Sequence, residues 1–451
     1  MFIDRVDEVR LLEKLYNEGT PKLVVLYGRR RVGKTALLNE FARRHKALYL
    51  VARQESEKEQ LKKMSEEASA FFHDVFLKSN PFQNYDSLFI YLAEKQAPVL
   101  FDEFPFLVES NKAVPSILQE HWDKNFSKKP SFIVLCGSSI RMMESLLGYK
   151  SPIYGRRTEQ IQLEPLKFED ASSFFPKASP EEKTINYAVL GGTPAYLLEF
   201  DQNKKLTENL LEKVLNKNKF LYQDVQYVIQ QELNEPSTYY SIIKSIAKGN
   251  TKIGEIMNDT GIDKAKITKY ASVLQKLHLI ERRVPITDFK PEKSRRGVYV
   301  LKDNYFKFWF KFIFENNEYI EQGRQKKLIE EKINPELNAF VGKAFEEIAL
   351  EWIKKQKPFN NFIFGRWWNK KEEIDIVGID RLKSKILCGE VKWKKIIKKE
   401  AQEILYKIKR KAEQINLHGN YERQFIIIAK KAEIKEIDNC KIFDLRDIMK
   451  T

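Results

Sequence analysis

Residues Gly28 to Thr35 read Gly-Arg-Arg-Arg-Val-Gly-Lys-Thr, the spacing G-x-x-x-x-G-K-T. Glycine at Gly28 and Gly33 lets successive backbone N–H groups turn inward around the α- and β-phosphates of a nucleotide. Arg29, Arg30, Arg31 and Val32 fill the loop, and Ala36 follows it. Lys34 can reach the β- and γ-phosphates, and the Thr35 hydroxyl is placed to bind Mg²⁺. The apolar run Leu23-Val24-Val25-Leu26 comes before the loop and a helical pattern from Ala36 to Ala42 comes after it. A buried strand opening into a helix N-terminus is the context in which such a loop holds an anion. The residues imply binding of a nucleoside triphosphate, ATP, with Mg²⁺.

A second strand pattern, Pro98-Val99-Leu100-Phe101, ends in two carboxylates, Asp102 and Glu103. Asp102 would hold Mg²⁺ directly or through water, and Glu103 would orient and deprotonate the attacking water. Paired with the loop upstream, the two strands are expected in one parallel sheet. A third strand, Ser131 to Cys136, runs into Gly137-Ser138-Ser139, where Ser138 is either a sensor of the γ-phosphate or part of an ordinary turn. Arg156 and Arg157 follow soon after; they either contact the γ-phosphate, couple nucleotide state to a lid, or form a solvated basic turn.

The last quarter of the chain carries a second set of acids. Glu346 sits in an amphipathic helical pattern from about Leu337 to Lys355, Asp375 in Glu-Ile-Asp-Ile-Val-Gly, and Glu390 and Lys392 in Gly-Glu-Val-Lys-Trp. Alternation along a strand puts Glu390 and Lys392 on one face while Val391 turns to the core. Asp375 and Glu390 on adjacent strands, completed by Glu346, would repel one another unless a hard cation such as Mg²⁺ or Mn²⁺ lies among them. That ion would polarise a scissile phosphate, with Lys392 positioning water or stabilising charge.

These residues need elements to hold them. At 451 residues the chain is long enough for about three domains on the usual size range. The reading adopted is an α/β multidomain protein in four segments. Residues 1–160 form a parallel-sheet nucleotide-binding core and 161–235 a helical lid broken at Gly191-Gly192-Thr193-Pro194. Residues 236–334 hold a winged helix-turn-helix with connecting helices, and 335–451 an α/β metal-binding domain. In the winged segment the recognition helix would carry Lys264, Lys266, Thr268 and Lys269, and the wing Lys290, Lys293, Arg295 and Arg296. Such residues meet phosphates and base edges in DNA-binding members, although winged helices also serve as spacers.

Charge and composition point the same way. The net charge of +16 favours a polyanionic partner, nucleic acid first and DNA within that class. Residues 335–451 hold 26 basic against 18 acidic residues, half the total net charge in about a quarter of the length. Cys136, Cys388 and Cys440 have no metal-ligand spacing and indicate a reducing compartment. No apolar run approaches a membrane span and no signal-peptide pattern opens the chain, so no membrane partner and a cytoplasmic location are expected. Homo-oligomerisation stays open.

The motifs together resemble a known family. Phe2-Ile3-Asp4-Arg5 with Glu8, the Gly28–Thr35 loop, Asp-Glu-Phe-Pro at Asp102, Tyr-Gly-Arg-Arg-Thr at Tyr154 and Gly-Gly-Thr-Pro at Gly191 look like archaeal-type P-loop ATPases of the STAND/AAA+ lineage. The Gly-Lys-Ala-Phe-Glu, Glu-Ile-Asp and Gly-Glu-Val-Lys segments look like the PD-(D/E)XK nuclease-like, or restriction-endonuclease-like, domain often fused to that ATPase. The resemblance implies Lys34, Thr35, Asp102 and Glu103 as an ATPase site and Glu346, Asp375, Glu390 and Lys392 as a nuclease-like site. It departs from the pattern at one point: Ile374, not proline, precedes Asp375. Three functions compete on this reading. The first is an ATP-driven nucleic-acid-processing protein with a metal-dependent deoxyribonuclease domain. The second is a STAND-type regulatory switch with a non-cleaving C-terminal domain, and the third a hexameric motor with an arginine supplied in trans.

Overall fold

The computed structural model describes residues 5–233, 235–417 and 419–450. Phe2, Ile3 and Asp4 of the N-terminal motif lie outside the described residues. The chain divides into two compact units, one of Met1–Leu166 with Thr193–Ala195, the other of Lys167–Gly192 with Tyr196–Thr451.

The first unit is built on a five-stranded sheet of β1 (Lys22–Tyr27), β2 (Leu48–Val51), β3 (Val99–Asp102), β4 (Phe132–Gly137) and β5 (Glu159–Gln162). Their order is β2-β3-β4-β1-β5 and every pair is parallel. Strands covered on both faces read as unbroken apolar runs, as β1 and β4 do, with Leu23 to Tyr27 and Phe132 to Gly137 all buried. Helix Lys34–His45 turns Leu37, Leu38 and Phe41 onto this sheet, where the Phe41 and Phe132 rings stack at 5.3 Å. Truncating a fully buried ring such as Phe41 to alanine costs about 3–5 kcal/mol. The last two residues of β5 lie beyond residue 160, in the stretch expected to open the lid. Only Ile161 of this edge strand is buried, so its sequence carries almost no strand signal.

The second unit opens with helices that include Pro180–Leu190 and Phe220–Glu232. Three more helices, Pro236–Ala247, Ile253–Thr260 and Lys264–Lys276, follow, then the antiparallel pair β6 (Ile280–Arg283) and β7 (Val298–Leu301). These helices and this hairpin lie within residues 236–334, the segment read as a winged helix with connecting helices.

Beyond them lies a six-stranded mixed sheet, in the order β12-β13-β11-β10-β9-β8. Its strands are β8 (Ile363–Trp368), β9 (Glu373–Asp380), β10 (Lys385–Ile396), β11 (Glu422–Ala432), β12 (Glu436–Ile437) and β13 (Cys440–Asp444). Strand alternation serves two cores. Ile386, Cys388, Ile427 and Ala429 face helix Lys398–Glu413 through Ala401, Leu405 and Ile408. Leu387, Val391, Ile426 and Ile428 face the long helix Asn334–Lys354 through Phe345, Ile348 and Trp352. Among the described residues, no helix is long and apolar enough to cross a membrane.

Candidate functional site

The parallel order puts the carboxyl ends of β3, β4 and β1 side by side, and the loops leaving these ends carry the expected residues. Gly28 leaves β1 against Leu163, whose carbonyl oxygen a Cβ at this position would meet at 2.3 Å. Gly33 closes the loop at φ 97°, a left-handed angle that glycine takes without strain. Val32 is fully buried, Arg29 and Lys34 are buried, and Arg30 and Arg31 are exposed. The buried Lys34 Nζ donates to the carbonyls of Gly28 at 2.9 Å and Arg29 at 3.0 Å, and desolvation pulls its pKa down.

Thr35 and Asp102 meet directly: the Thr35 hydroxyl donates to Asp102 Oδ2 at 2.9 Å. The phenol of Tyr49 donates to the same oxygen at 2.5 Å, and the backbone N–H of Glu103 donates to Oδ1 at 3.0 Å. Glu103 adopts φ 52°, an uncommon angle for a residue with a side chain. Its carboxylate accepts the Ser138 N–H at 3.1 Å and the Ser138 hydroxyl at 2.5 Å.

Two supports of the loop come from the Phe-Ile-Asp-Arg and Gly-Gly-Thr-Pro segments, to whose side chains the sequence reading gave no role. The buried Arg5 donates to the carbonyls of Val32 at 2.7 Å and Glu164 at 2.6 Å. Arg29 Nη2 donates to the Thr193 hydroxyl at 3.1 Å, across 164 residues of chain. The expected arginines are engaged away from the loop. Arg156 pairs with Asp123 at 3.0 Å, and Arg157 donates to the Leu147 carbonyl at 2.6 Å while lying over the Tyr154 ring.

In the second unit Asp375 on β9 and Glu390 on β10 lie on antiparallel neighbours, next to the register pair Gly389 and Ile376. Asp375 Oδ2 accepts the Val391 N–H at 2.9 Å, and burial together with the carboxylates of Glu346 and Glu390 pushes its pKa up to about 7. Basic side chains stand on the other two acids. Glu346 pairs with Arg366 at 2.5 Å and Lys343 at 3.0 Å. Glu390 pairs with Lys392 at 2.8 Å and Lys411 at 3.3 Å. Among the described residues, no group of three or more His, Cys, Asp or Glu side chains is disposed to hold a metal ion. The three acids therefore share a neighbourhood without converging as the expected ligand set. Arg366 and Lys411 are the additions that sequence reasoning missed; in a chain with 79 basic residues their positions give no sign of pairing.

Lys264, Lys266, Thr268 and Lys269 are exposed on helix Lys264–Lys276, and Lys290, Lys293, Arg295 and Arg296 on the connection between β6 and β7. Arg296 is bound there by Asp288.

A protein of Methanocaldococcus jannaschii, described only as uncharacterised, is 34% identical over 455 residues, spanning 99% of this chain and 100% of that one. The chain belongs to the family of this archaeal protein. Residues 2–200 of this chain match an ATPase domain found predominantly in Archaea. Residues 309–404 match a family described as archaeal and bacterial proteins of unknown function. An uncharacterised ATP-binding protein of the same organism is 51% identical over 41 residues, 9% of this chain and 70% of that protein. Among solved structures, the ORC2 protein of Aeropyrum pernix in its ADPNP–ADP complexes aligns at 12% identity and a TM-score of 0.45, covering 72% of this chain and 95% of that one. A STAND protein with a tetratricopeptide repeat sensor from Pyrococcus horikoshii aligns at 17% identity and a TM-score of 0.32, covering 80% and 51%. With TM-scores under 0.5, neither likeness specifies the fold.

Proposed function

We propose that this ATPase-domain protein hydrolyses ATP at the Gly28–Thr35 loop and acts on nucleic acid, DNA in the first instance, through a C-terminal domain that cleaves it. In this reading residues 1–160 are the ATPase core, 161–235 the lid, 236–334 a winged helix with its connections, and 335–451 a PD-(D/E)XK nuclease-like domain. The observation that carries the hydrolysis reading is the contact of Thr35, in the helix that follows the loop, with Asp102 beside Glu103 at the end of β3.

A hydroxyl and a carboxylate 2.9 Å apart are hard oxygen donors that fit Mg²⁺. When bound, that ion supplies charge neutralisation to the β- and γ-phosphate oxygens. The chain's own groups do the rest. The loop N–H groups bind the phosphates, and Lys34 exchanges its two carbonyl partners for phosphate oxygens. Glu103 orients the attacking water and takes its proton on a carboxylate oxygen.

The nuclease reading is supported by the nearness of the Glu346 and Glu390 carboxylates to Asp375, with Lys392 beside Glu390. Burial and like charge that push Asp375 up to about 7 are what a cation among these oxygens would relieve. Only once Glu346 and Glu390 turn from their basic partners would they join Asp375 in holding Mg²⁺ or Mn²⁺, and that ion would supply Lewis-acid activation of a scissile phosphate. Lys392 then holds the charge that develops, and the exposed lysines of the winged segment attract the phosphate backbone. One observation favours the second reading, a regulatory switch with a non-cleaving C-terminal domain: Arg366, Lys343, Lys392 and Lys411 already neutralise Glu346 and Glu390.

Labelled single-stranded, duplex and branched DNA, incubated with Mg²⁺ or Mn²⁺ with and without ATP, separates the two. Cleavage that disappears in Asp375→Ala supports the nuclease. No cleavage of any substrate, with ATP hydrolysis intact, selects the switch.

A further inference from the structure

Tyr49 joins Cys136 as a side chain against the Asp102 carboxylate that neither the loop nor the acid pair supplies. It comes from β2, and its reach follows from strand register. In the parallel pairing of β2 with β3, Val51 stands opposite Asp102, so Tyr49, two residues earlier, faces the same side of the sheet on the diagonal. Long aromatic side chains bridge that diagonal. The phenol is half-buried, and its O–H donates to Asp102 Oδ2 at 2.5 Å, on the oxygen that also accepts Thr35 at 2.9 Å. Oδ1 accepts the Glu103 N–H at 3.0 Å.

We propose that Tyr49 is a positioning residue for the divalent cation of ATP hydrolysis, acting through Asp102. The inference rests on the reading of Asp102 as the metal-holding carboxylate. A carboxylate offers roughly four lone-pair sites, and the Tyr49 and Thr35 hydroxyls with the Glu103 N–H occupy most of them, with the Cys136 thiol alongside. That fixes the torsion of Asp102 and with it the direction in which the carboxylate faces a metal ion or a water of its shell. Thr35 cannot do this alone, because its oxygen is itself needed at the metal. The Tyr49 O–H lies within reach of both Asp102 and Thr35, and it is the Asp102 oxygen to which it donates. Partners of this kind, one bond removed from the metal, typically alter metal affinity 10–100-fold when lost.

The test is Tyr49→Phe, which keeps the ring and removes only the donor. Binding of a fluorescent ATP analogue is measured across a Mg²⁺ titration and again in EDTA, alongside Asp102→Asn and the double variant. The expected result for Tyr49→Phe is a rise of about tenfold in half-saturating Mg²⁺ with affinity in EDTA within about twofold of the parent. In the Asp102→Asn background the same change should add nothing, since the effect passes through that carboxylate. An unchanged Mg²⁺ curve for Tyr49→Phe, beside a shifted curve for Asp102→Asn, would overturn the role of Tyr49 alone. An equal loss in EDTA would reduce Tyr49 to packing and overturn it as well. An unchanged curve for Asp102→Asn would remove the metal reading of the acid pair itself.

Discussion

Ser138 holds both oxygens of Glu103: its N–H donates to Oε2 at 3.1 Å and its hydroxyl to Oε1 at 2.5 Å. The serine expected to read the γ-phosphate therefore grips the residue expected to deprotonate water. Glu103 needs such a grip, because its φ of 52° is tolerated only where neighbours impose it.

Replacing Ser138 with alanine should lower kcat for ATP hydrolysis by about tenfold, the scale of a general base losing its orientation. ATP affinity should stay within about twofold. Steady-state kinetics beside equilibrium binding decide it. A selective loss of ATP over ADP affinity would instead return Ser138 to contact with the γ-phosphate.

Lys34→Ala should weaken ATP binding by roughly 10–150-fold, the range of a hydrogen bond to a charged group. Folding should be spared, because the two carbonyls that Lys34 occupies belong to the same loop and can turn to water. Calorimetric titration with ATP, beside a thermal melt, checks both halves.

Arg366→Ala should lower stability by about 1–3 kcal/mol, because it leaves the buried Glu346 with Lys343 alone. If the acids around Asp375 take up a cation, millimolar MnCl₂ should raise the melting temperature of the variant more than that of the parent. Equal shifts in the two proteins would argue that the acids serve only their ion pairs.

Asp444, at the end of β13, is fully buried. Burial alone would raise its pKa, but the Arg446 guanidinium and the N–H groups of Arg446 and Ala432 outweigh it and hold the carboxyl at about 2. Its folded pKa lies below the ordinary value near 3.9, so its contribution is full above about pH 4 and disappears as pH falls through about 2. Asp444→Asn should cost about 1–2 kcal/mol at pH 7 in denaturant titration, after allowance for the exposure of Arg446. That difference should shrink towards zero at pH 2.

What could be read in the chain is what lies close together in it. Gly28 to Thr35 is one continuous loop, and Asp102 and Glu103 are adjacent, so spacing alone located them. Their partners come from elsewhere: Tyr49 is 53 residues from Asp102, on a strand whose sequence advertises only burial, and Ser138 is 35 from Glu103, just past β4, where the sequence pointed to the γ-phosphate and not to the glutamate. β5 went unread for the opposite reason, being an edge strand with polar side chains around Ile161. In the C-terminal sheet the alternation of Glu390, Val391 and Lys392 was legible. The salt bridges that cover the acids were not, since basic residues are too common there for any one to stand out.

The attachment of Thr193 to Arg29 bears on how this protein can be divided. Residues 193–195 belong with the nucleotide-binding unit although the chain on either side of them belongs to the other. No single cut separates the two. A gene fragment ending at residue 166 would deliver the phosphate loop without the hydroxyl that Arg29 holds. The ATPase part is therefore not a portable module: transplanting it by simple end-to-end fusion would leave part of it behind.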